Sequence, residues 1–226
     1  MTDHDPFSPG AVRAAYDAVA REYAERFGDD LAHLPLDRAM LDAALAVAPE
    51  GRGWVLDAGC GPAPVAAYLT GPGRRLVGVD LSCAMLAAAG QRVPGLSRAQ
   101  GDLRRLPLRT GSCALAVAYY SLQHVHRSDL RPALGELQRV LADGGVLLAA
   151  THLGMGDVVT DDFIGHRVDP VGGALYARDG FVAALTAAGF TVEDERQRDA
   201  LPHEHDTRRI YLLCRRDGGV RPVSRR

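Results

Sequence analysis

Lysine is absent from the 226 residues, so all 26 basic residues counted as lysine plus arginine are arginine. Without lysine the chain cannot carry out Schiff-base catalysis or supply the lysine of a phosphate-binding P-loop. The four cysteines contain no CxxC pair and have no close cysteine–histidine spacing of the zinc-finger kind. We therefore expect reduced, buried thiols and no metal site.

Long apolar runs and an excess of one charge are missing as well. No run approaches the ~18 apolar residues of a membrane span, and the first ten residues have no basic region followed by an apolar stretch. The 28 acidic residues almost balance the arginines, and the net charge of −2 argues against a face that binds nucleic acid. These features predict a cytoplasmic protein without a membrane or nucleic-acid partner, either a monomer or a homodimer.

Helical and strand-like segments alternate along the chain, which is typical of an α/β domain with a mostly parallel sheet. The length predicts one domain over residues 1–216, and residues 217–226 are expected to be a frayed tail. Residues 151–176 show no clean period, so we expect a functional or disordered loop there. The main predicted helices cover 10–28, 35–47, 82–90, 129–141 and 178–188, and the main strands cover 54–56, 75–80, 113–120, 146–150, 190–195 and 208–215.

The sharpest motif is VLDAGCG at residues 55–61, which reads as a strand followed by a glycine turn and a helix. Gly59 and Gly61 permit positive φ and a close approach of the backbone to a ligand. Asp80 ends the next strand, where a carboxylate can accept hydrogen bonds from a ribose diol. The pattern indicates a nucleoside-containing cofactor, although an ordinary strand-to-helix turn would also produce the glycine motif.

Two residues distinguish this motif from the fingerprint of dinucleotide-binding proteins. Pro64 occupies the position of the third glycine of GxGxxG, and Asp57 lies two residues before the first glycine. A carboxylate at this turn would repel a pyrophosphate but suits a ligand with positive charge, such as the ammonium and sulfonium groups of S-adenosylmethionine.

Over residues 10–216 the chain resembles the class I S-adenosylmethionine-dependent methyltransferases, especially the small enzymes of quinone and natural-product pathways. Five elements in the family's order carry the resemblance: Asp57 to Gly61, Asp80, Gln100-Gly101-Asp102-Leu103 with Leu106-Pro107-Leu108, Tyr119 to His124, and the helix 130–141 with its Ala142-Asp143-Gly144-Gly145 turn. It implies a Rossmann-like three-layer sandwich whose mostly parallel seven-stranded sheet has an antiparallel C-terminal hairpin strand. It also implies an N-terminal helical lid, which we place at residues 10–48.

The resemblance further implies a set of cofactor-binding residues. In the family pattern the lid contributes aromatic residues, Asp57 lies beside the methionine moiety, and Asp102 meets the adenine edge. Core packing explains Met85 and Tyr23 equally well. The full set is Tyr16, Tyr23, Asp57, Gly59, Gly61, Asp80, Leu81, Met85, Asp102, Leu103 and Tyr120.

Histidines are the candidate general bases, which an acceptor hydroxyl, protonated amine or carbon acid would need. His124 follows the strand that ends at Tyr120, and the resemblance places the loop 201–207, with His203 and His205, at the same sheet edge. Each histidine could equally be a hydrogen-bonded loop residue. The resemblance also marks residues 151–177 as an acceptor-binding insertion.

The expected activity is transfer of a methyl group from S-adenosylmethionine to a small-molecule acceptor, with S-adenosylhomocysteine as the product. Three alternatives remain open at this point. Some relatives of the fold bind the same cofactor but catalyse cyclisation, decarboxylation or hydroxylation. A nicotinamide oxidoreductase and a non-catalytic scaffold are the other two.

Overall fold

The computed structural model describes residues 5–51, 53–202 and 204–218. Six α-helices and nine strands are present in this part of the chain, and short 3-10 turns cover Asp30–His33, Leu122–His124 and Arg127–Asp129. In chain order the main elements are α1 (Pro9–Phe27), α2 (Pro35–Val47), β1 (Trp54–Ala58), α3 (Pro64–Leu69), β2 (Leu76–Asp80), α4 (Cys83–Arg92), β3 (Ser97–Gln100), β4 (Cys113–Tyr119), α5 (Leu130–Val140), β5 (Leu141–Leu153), β6 (Asp157–Phe163), β7 (His166–Ala174), α6 (Arg178–Ala187), β8 (Phe190–Arg198) and β9 (Arg208–Arg216).

Seven strands form one sheet in the order β3-β2-β1-β4-β5-β9-β8. The pairs from β3 to β5 are parallel, whereas β9 runs antiparallel to both β5 and β8. The predicted mostly parallel seven-stranded sheet with an antiparallel C-terminal strand is therefore confirmed. Parallel strands bring their carboxyl ends to one edge, where ligands bind in open α/β sheets.

Helices cover both faces of the sheet and bury two apolar clusters. On one face, α5 and α6 contribute Leu134, Leu137 and Phe181 to a core that includes Leu56 and Leu212. The opposite face packs against α2 and α3, which contribute these buried side chains to the second cluster: Met40, Leu41, Ala44, Val65 and Leu69. Burial of the apolar sheet on both sides explains the continuously apolar character of β4 and of the middle of β5.

The N-terminal helix α1 is the cover of this sheet edge. Pro9 stands at its first turn, and the Ser8 side chain caps it by accepting a hydrogen bond from the Ala11 amide. Val12 and Ala15 pack against Val171 of β7, which fixes α1 over the edge. The predicted lid segment 10–48 divides here, because α2 instead belongs to the layer packed on the sheet.

Residues 157–174 form a two-stranded antiparallel hairpin, so the expectation of an irregular segment at 151–176 is wrong. The sequence shows no strand-like alternation of apolar and polar residues here, because most of β6 and about half of β7 are exposed. The register of the pair also shifts between Thr160 and Asp162. The hairpin has its own sheet and lies against α1. It therefore completes the cover of the sheet edge.

Other differences from the predicted elements concern their ends. The strand predicted at 146–150 extends over Leu141–Leu153, because residues before and after the apolar run also pair with neighbours. β3 was not predicted because its sequence, SRAQ, is polar and mostly exposed. The predicted tail at 217–226 falls largely outside the described residues. In the described part of the chain, no helix has the length and apolar character needed to cross a membrane.

Candidate active site

A cavity of about 740 Å³ lies at the carboxyl edge of the sheet, beneath α1 and the β6–β7 hairpin. One end, towards β3, is lined by Asp57, Gly59, Gly61, Asp80 and Asp102, and we call it the glycine-turn end. The other end, towards β9, we call the histidine end; it is lined by Tyr120, His152, Glu204, His205 and Arg209. The fold thus brings the residues of the sequence motifs into one cavity.

Both marked glycines of the turn have a left-handed backbone, but they differ in the space around them. Gly59 has a φ of +74° and Gly61 a φ of +51°, both in the left-handed region. A Cβ at Gly59 would lie 2.3 Å from Cβ of Ser121, whereas a Cβ at Gly61 would have no protein atom within 4 Å. The turn after β1 is therefore packed on one side and leaves an open cradle on the cavity side.

Asp57 is a buried carboxylate in the cavity wall, with 2% of its surface exposed. Its Oδ2 accepts a hydrogen bond from the Ala66 amide at 3.1 Å. Burial raises the pKa of Asp57 to about 7, against the effect of the Ala66 hydrogen bond, and the Asp80 charge adds to the rise. An ionised carboxylate in this position is stabilised by a cationic ligand, so the residue fits the sulfonium and ammonium of S-adenosylmethionine.

Asp80 is held by two backbone amides at the tip of β2. Its Oδ2 accepts from the Gly61 amide and its Oδ1 from the Ser82 amide, both at 2.8 Å. Burial raises the pKa of the Asp80 carboxyl, while these amides act in the opposite direction. The carboxylate is thus fixed beside the glycine cradle, where it can accept hydrogen bonds from a ribose diol.

The predicted adenine contacts divide into three groups. Leu81 and Leu103 line the cavity. Asp102 also lines it, but its carboxylate contacts the Arg104 guanidinium at 2.7 Å, and although burial acts the other way, these hydrogen bonds lower its pKa. Met85 is fully buried and does not line the cavity, which favours the packing interpretation of this residue.

Aromatic side chains close the cavity from above. Tyr16 contacts Phe163 of the hairpin edge-on, with ring centroids 5.0 Å apart, and contacts Tyr23 at 5.7 Å. Both tyrosines line the cavity, and burial raises both of their pKa values, that of Tyr23 to about 12. These contacts join α1 to the tip of the hairpin.

His124 uses both ring nitrogens for internal hydrogen bonds. Nδ1 lies 3.0 Å from the Gly172 carbonyl oxygen, and Nε2 lies 2.7 Å from the Tyr16 hydroxyl. Because a carbonyl can only accept, Nδ1 carries the proton and donates, and Nε2 accepts from Tyr16. Burial lowers the pKa of His124, which favours this neutral form. The residue therefore connects α1 to β7.

Tyr120 has a φ of +52°, an uncommon value for a residue with a side chain. Its hydroxyl lies 2.8 Å from that of Tyr211, and the Tyr211 hydroxyl donates to Oδ1 of the buried Asp37 at 2.7 Å. Tyr119 donates to the same oxygen at 2.6 Å. This buried network fixes the ring of Tyr120 in the cavity wall despite the backbone strain.

Analysis of the sequence missed His152 as a candidate base. It lies near the end of β5, with its Nδ1 2.6 Å from the Thr207 hydroxyl and its ring centroid 5.0 Å from that of Tyr120. Burial, and after it the charge of Arg209, its partner across β5 and β9, lower the pKa of His152 to about 4. The available signal was its position at the carboxyl end of a buried strand.

The loop between β8 and β9 supplies the rest of the histidine end. Glu204 accepts from both terminal nitrogens of Arg198, at 2.5 and 2.7 Å; burial acts to raise its pKa, but these bonds lower it to about 2. His205 is exposed at the rim of the cavity. His203, the third predicted base, lies outside the described residues. Within those residues, no three His, Cys, Asp or Glu side chains form a metal-binding group.

Comparisons with known proteins point to the same chemistry. Residues 56–149 match the family model described as "Methyltransferase domain". The malonyl-[acyl-carrier protein] O-methyltransferase of Enterobacter lignolyticus is 33% identical over 147 residues, which are 65% of this chain and 55% of that protein. The chain thus spans about half the length of the curated relatives it matches.

Solved structures share the fold. A SAM-dependent methyltransferase from Leishmania major superposes with a TM-score of 0.69 at 16% identity, covering 93% of this chain and 86% of the other. One from Methanosarcina mazei gives a TM-score of 0.66 at 16% identity and covers 76% and 96%. The glycine cradle, the buried Asp57 and the Asp80 carboxylate lie within the residues that match the methyltransferase model, and over this region the chain is similar to the S-adenosylmethionine-dependent methyltransferases.

Proposed function

We propose that this protein catalyses transfer of a methyl group from S-adenosylmethionine to an oxygen atom of a small-molecule acceptor. The observation that carries the proposal is the pair of carboxylates at the glycine-turn end. Asp57 is buried where a cation compensates its charge, and Asp80 is fixed by two amides where a diol can donate to it. A pyrophosphate group would meet both negative charges, so the arrangement disfavours a nicotinamide dinucleotide.

The bound cofactor supplies a methyl group that is already activated by its attachment to a sulfonium. The protein's task is then to align the acceptor and to exclude water. α1 and the hairpin perform the second task, because Tyr16 and Phe163 close over the cavity. The buried tyrosine network below the sheet edge fixes one wall at the histidine end.

We place the acceptor at the histidine end, beneath the segment that the sequence marked as an acceptor-binding insertion. Val158, Thr160 and Phe163 of that segment line the cavity, as do His152 and His205. The similar bacterial relatives are named as O-methyltransferases, which supports oxygen as the accepting atom. Those relatives act on malonyl-[acyl-carrier protein]; a malonyl thioester is accordingly one of the acceptors to test.

Titration calorimetry with S-adenosylmethionine, S-adenosylhomocysteine and NAD tests the cofactor half of the proposal. We expect micromolar binding of the two adenosyl ligands and no saturable binding of NAD. Product mass spectrometry tests the other half, since each methylated acceptor should be accompanied by one S-adenosylhomocysteine. Turnover of an acceptor without S-adenosylhomocysteine would contradict methyl transfer, and saturable NAD binding with hydride transfer would contradict the cofactor assignment.

A further inference from the structure

We propose that His152 is the catalytic base of this site and that the acceptor it serves carries a phenolic or enolic hydroxyl. The inference rests on the proposed function and adds a substrate class and a proton acceptor to it. Two histidines of the cavity wall, His124 and His152, differ in their hydrogen bonds.

His124 is not available as a base in this arrangement. Its Nδ1–H donates to the Gly172 carbonyl, and the lone pair on Nε2 is occupied by the Tyr16 hydroxyl at 2.7 Å. To take a proton from an acceptor, the ring would first have to release Tyr16 and with it one attachment between α1 and the hairpin. The same contacts that orient this residue therefore prevent its use in proton transfer.

His152 has the opposite arrangement. Its Nδ1 is bonded to the Thr207 hydroxyl at 2.6 Å, and among the described residues no atom makes a hydrogen bond with Nε2. A threonine hydroxyl can accept the Nδ1 proton, and in that tautomer Nε2 presents a lone pair. The ring lines the cavity and contacts the Tyr120 ring, so the Thr207 hydrogen bond and the Tyr120 contact together fix its orientation.

Charged groups around His152 favour an anion at its side. Arg209 faces His152 from β9 and is 3% exposed. Its Nε is buried and has no hydrogen-bond partner among the described residues. His205 also opposes a positive charge on His152, whereas Glu204 favours one and His124 is a weaker neighbour. Glu204 is already bound by Arg198 at 2.5 Å, so Arg209 is only partly compensated. An acceptor oxygen that becomes negative in the reaction is stabilised here.

The step balances without a further reagent. The acceptor oxygen forms a bond to the methyl carbon as the carbon–sulfur bond breaks, and the sulfonium charge disappears. The hydroxyl proton passes to Nε2 of His152, so the products are a methyl ether, S-adenosylhomocysteine and a protonated imidazole that returns its proton to water. A weakly basic imidazole suffices because Arg209, by stabilising the acceptor anion, lowers the pKa of the acceptor hydroxyl, and the imidazole itself stays unprotonated at neutral pH.

The first test needs no acceptor. Nitrogen-15 NMR of the S-adenosylhomocysteine complex should show His152 with a protonated Nδ1 and an unprotonated Nε2, assigned by comparison with the His152→Gln variant. Thr207→Val, which removes the acceptor of the Nδ1 proton, should shift this tautomer, and Thr207→Ser should restore it. A protonated Nε2 in the wild-type complex would overturn the proposal.

The second test is kinetic and uses two probes, catechol as the hydroxyl acceptor and malonyl-pantetheine as a carboxylate acceptor that needs no base. With catechol we expect His152→Gln to lower kcat about 10²- to 10⁴-fold while KM changes little. Binding of S-adenosylmethionine should be unchanged in calorimetry. His33→Gln is the matched control, because His33 is exposed and lies outside the cavity wall.

The possible outcomes distinguish failure of the His152 proposal from failure of the proposed methyltransferase function. Methylation of malonyl-pantetheine alone, unaffected by His152→Gln, would overturn the base and the hydroxyl class but keep the methyltransferase. Failure to methylate catechol by a wild-type protein that binds S-adenosylmethionine would also overturn the hydroxyl class. A protein that binds no adenosyl ligand would fail the proposed function itself.

Discussion

The two ends of the cavity are built by different means. At the glycine-turn end, backbone geometry dominates: Gly59 and Gly61 set the cradle, and two amides fix the Asp80 carboxylate. At the histidine end, side chains from separate strands and loops hold one another, as when Asp37 of α2 binds Tyr119 of β4 and Tyr211 of β9. A local sequence motif can therefore specify the first end but not the second.

The two ends also differ in the charges that they present to a ligand. The Asp57 and Asp80 carboxylates make the glycine-turn end suited to a cation and a diol, whereas Arg209 makes the histidine end suited to a forming anion. Methyl transfer from a sulfonium to an oxygen needs both environments side by side. Each of the following predictions changes the glycine-turn end or the cover and leaves the histidine end as an internal reference, beginning with the largest effect.

Gly59→Ala should break the glycine-turn end by destabilising the fold by about 2–4 kcal/mol, from left-handed strain together with a clash. The new Cβ would lie 2.3 Å from Cβ of Ser121. Gly61→Ala is the matched control: it has a similar φ but no protein atom within 4 Å of its Cβ, and should cost only about 1–2 kcal/mol. Urea unfolding measures both, and equal losses would contradict the packing argument.

Asp80→Ala should weaken S-adenosylmethionine binding by about 1–3 kcal/mol, because the ribose hydroxyls lose their acceptor. Calorimetry measures the affinity, and turnover at saturating cofactor should stay close to the wild-type value because the histidine end is untouched. Asp42→Ala serves as the control, since its exposed carboxylate binds Tyr68 away from the cavity. Unchanged affinity in Asp80→Ala would mean that Asp80 does not hold the ribose.

The pKa of Asp57, about 7 in the ligand-free protein, predicts a pH dependence of binding. A cationic ligand binds the ionised form, so binding below pH 7 releases a proton, and affinity should fall up to about tenfold, or ~1.4 kcal/mol, per unit of decreasing pH. For the ligand-free protein the sign is opposite: the unfolded chain ionises Asp57 at about pH 4 and the folded protein only at about pH 7, so the fold loses stability as pH rises through this range.

Calorimetry at pH 5.5, 6.5 and 7.5, in buffers of different ionisation enthalpy, measures the number of protons released. Asp57→Asn should bind more weakly and lose the dependence below pH 7. Protonation of the ligand's own amino group changes affinity only near pH 8, and it is common to both proteins. Equal proton release by the variant would show that another group titrates.

Tyr16→Phe should have the smallest effect, about 0.5–1.5 kcal/mol of folding free energy, because it removes one hydrogen bond to His124 and keeps the ring contacts. Catechol turnover should remain within about threefold of wild type. Tyr68→Phe, which removes an exposed hydrogen bond to Asp42, is the control and should change stability less. A large loss of turnover in Tyr16→Phe would argue that Tyr16 and His124 together act in proton transfer.

The sheet could be predicted from the sequence because its strands are short apolar runs separated by helical periods. The same holds for Asp57 and Asp80, whose positions follow directly from the apolar strands that carry them. The hairpin could not be predicted, because β6 is largely exposed, β7 contains two adjacent glycines, and neither strand carries an apolar alternation. His152 was missed since its partners, Thr207 and Arg209, lie more than fifty residues away and become neighbours only when β9 pairs with β5.

The connection from Tyr16 through His124 to Gly172 also bears on how molecules leave the cavity. It joins α1, the turn after β4 and β7, so the helix and the hairpin cannot separate without breaking it. A product held beneath both elements can depart only when they open together. We therefore expect opening of this cover, rather than the chemical step, to limit the rate of steady-state turnover with good acceptors, giving a burst of product in the first cycle.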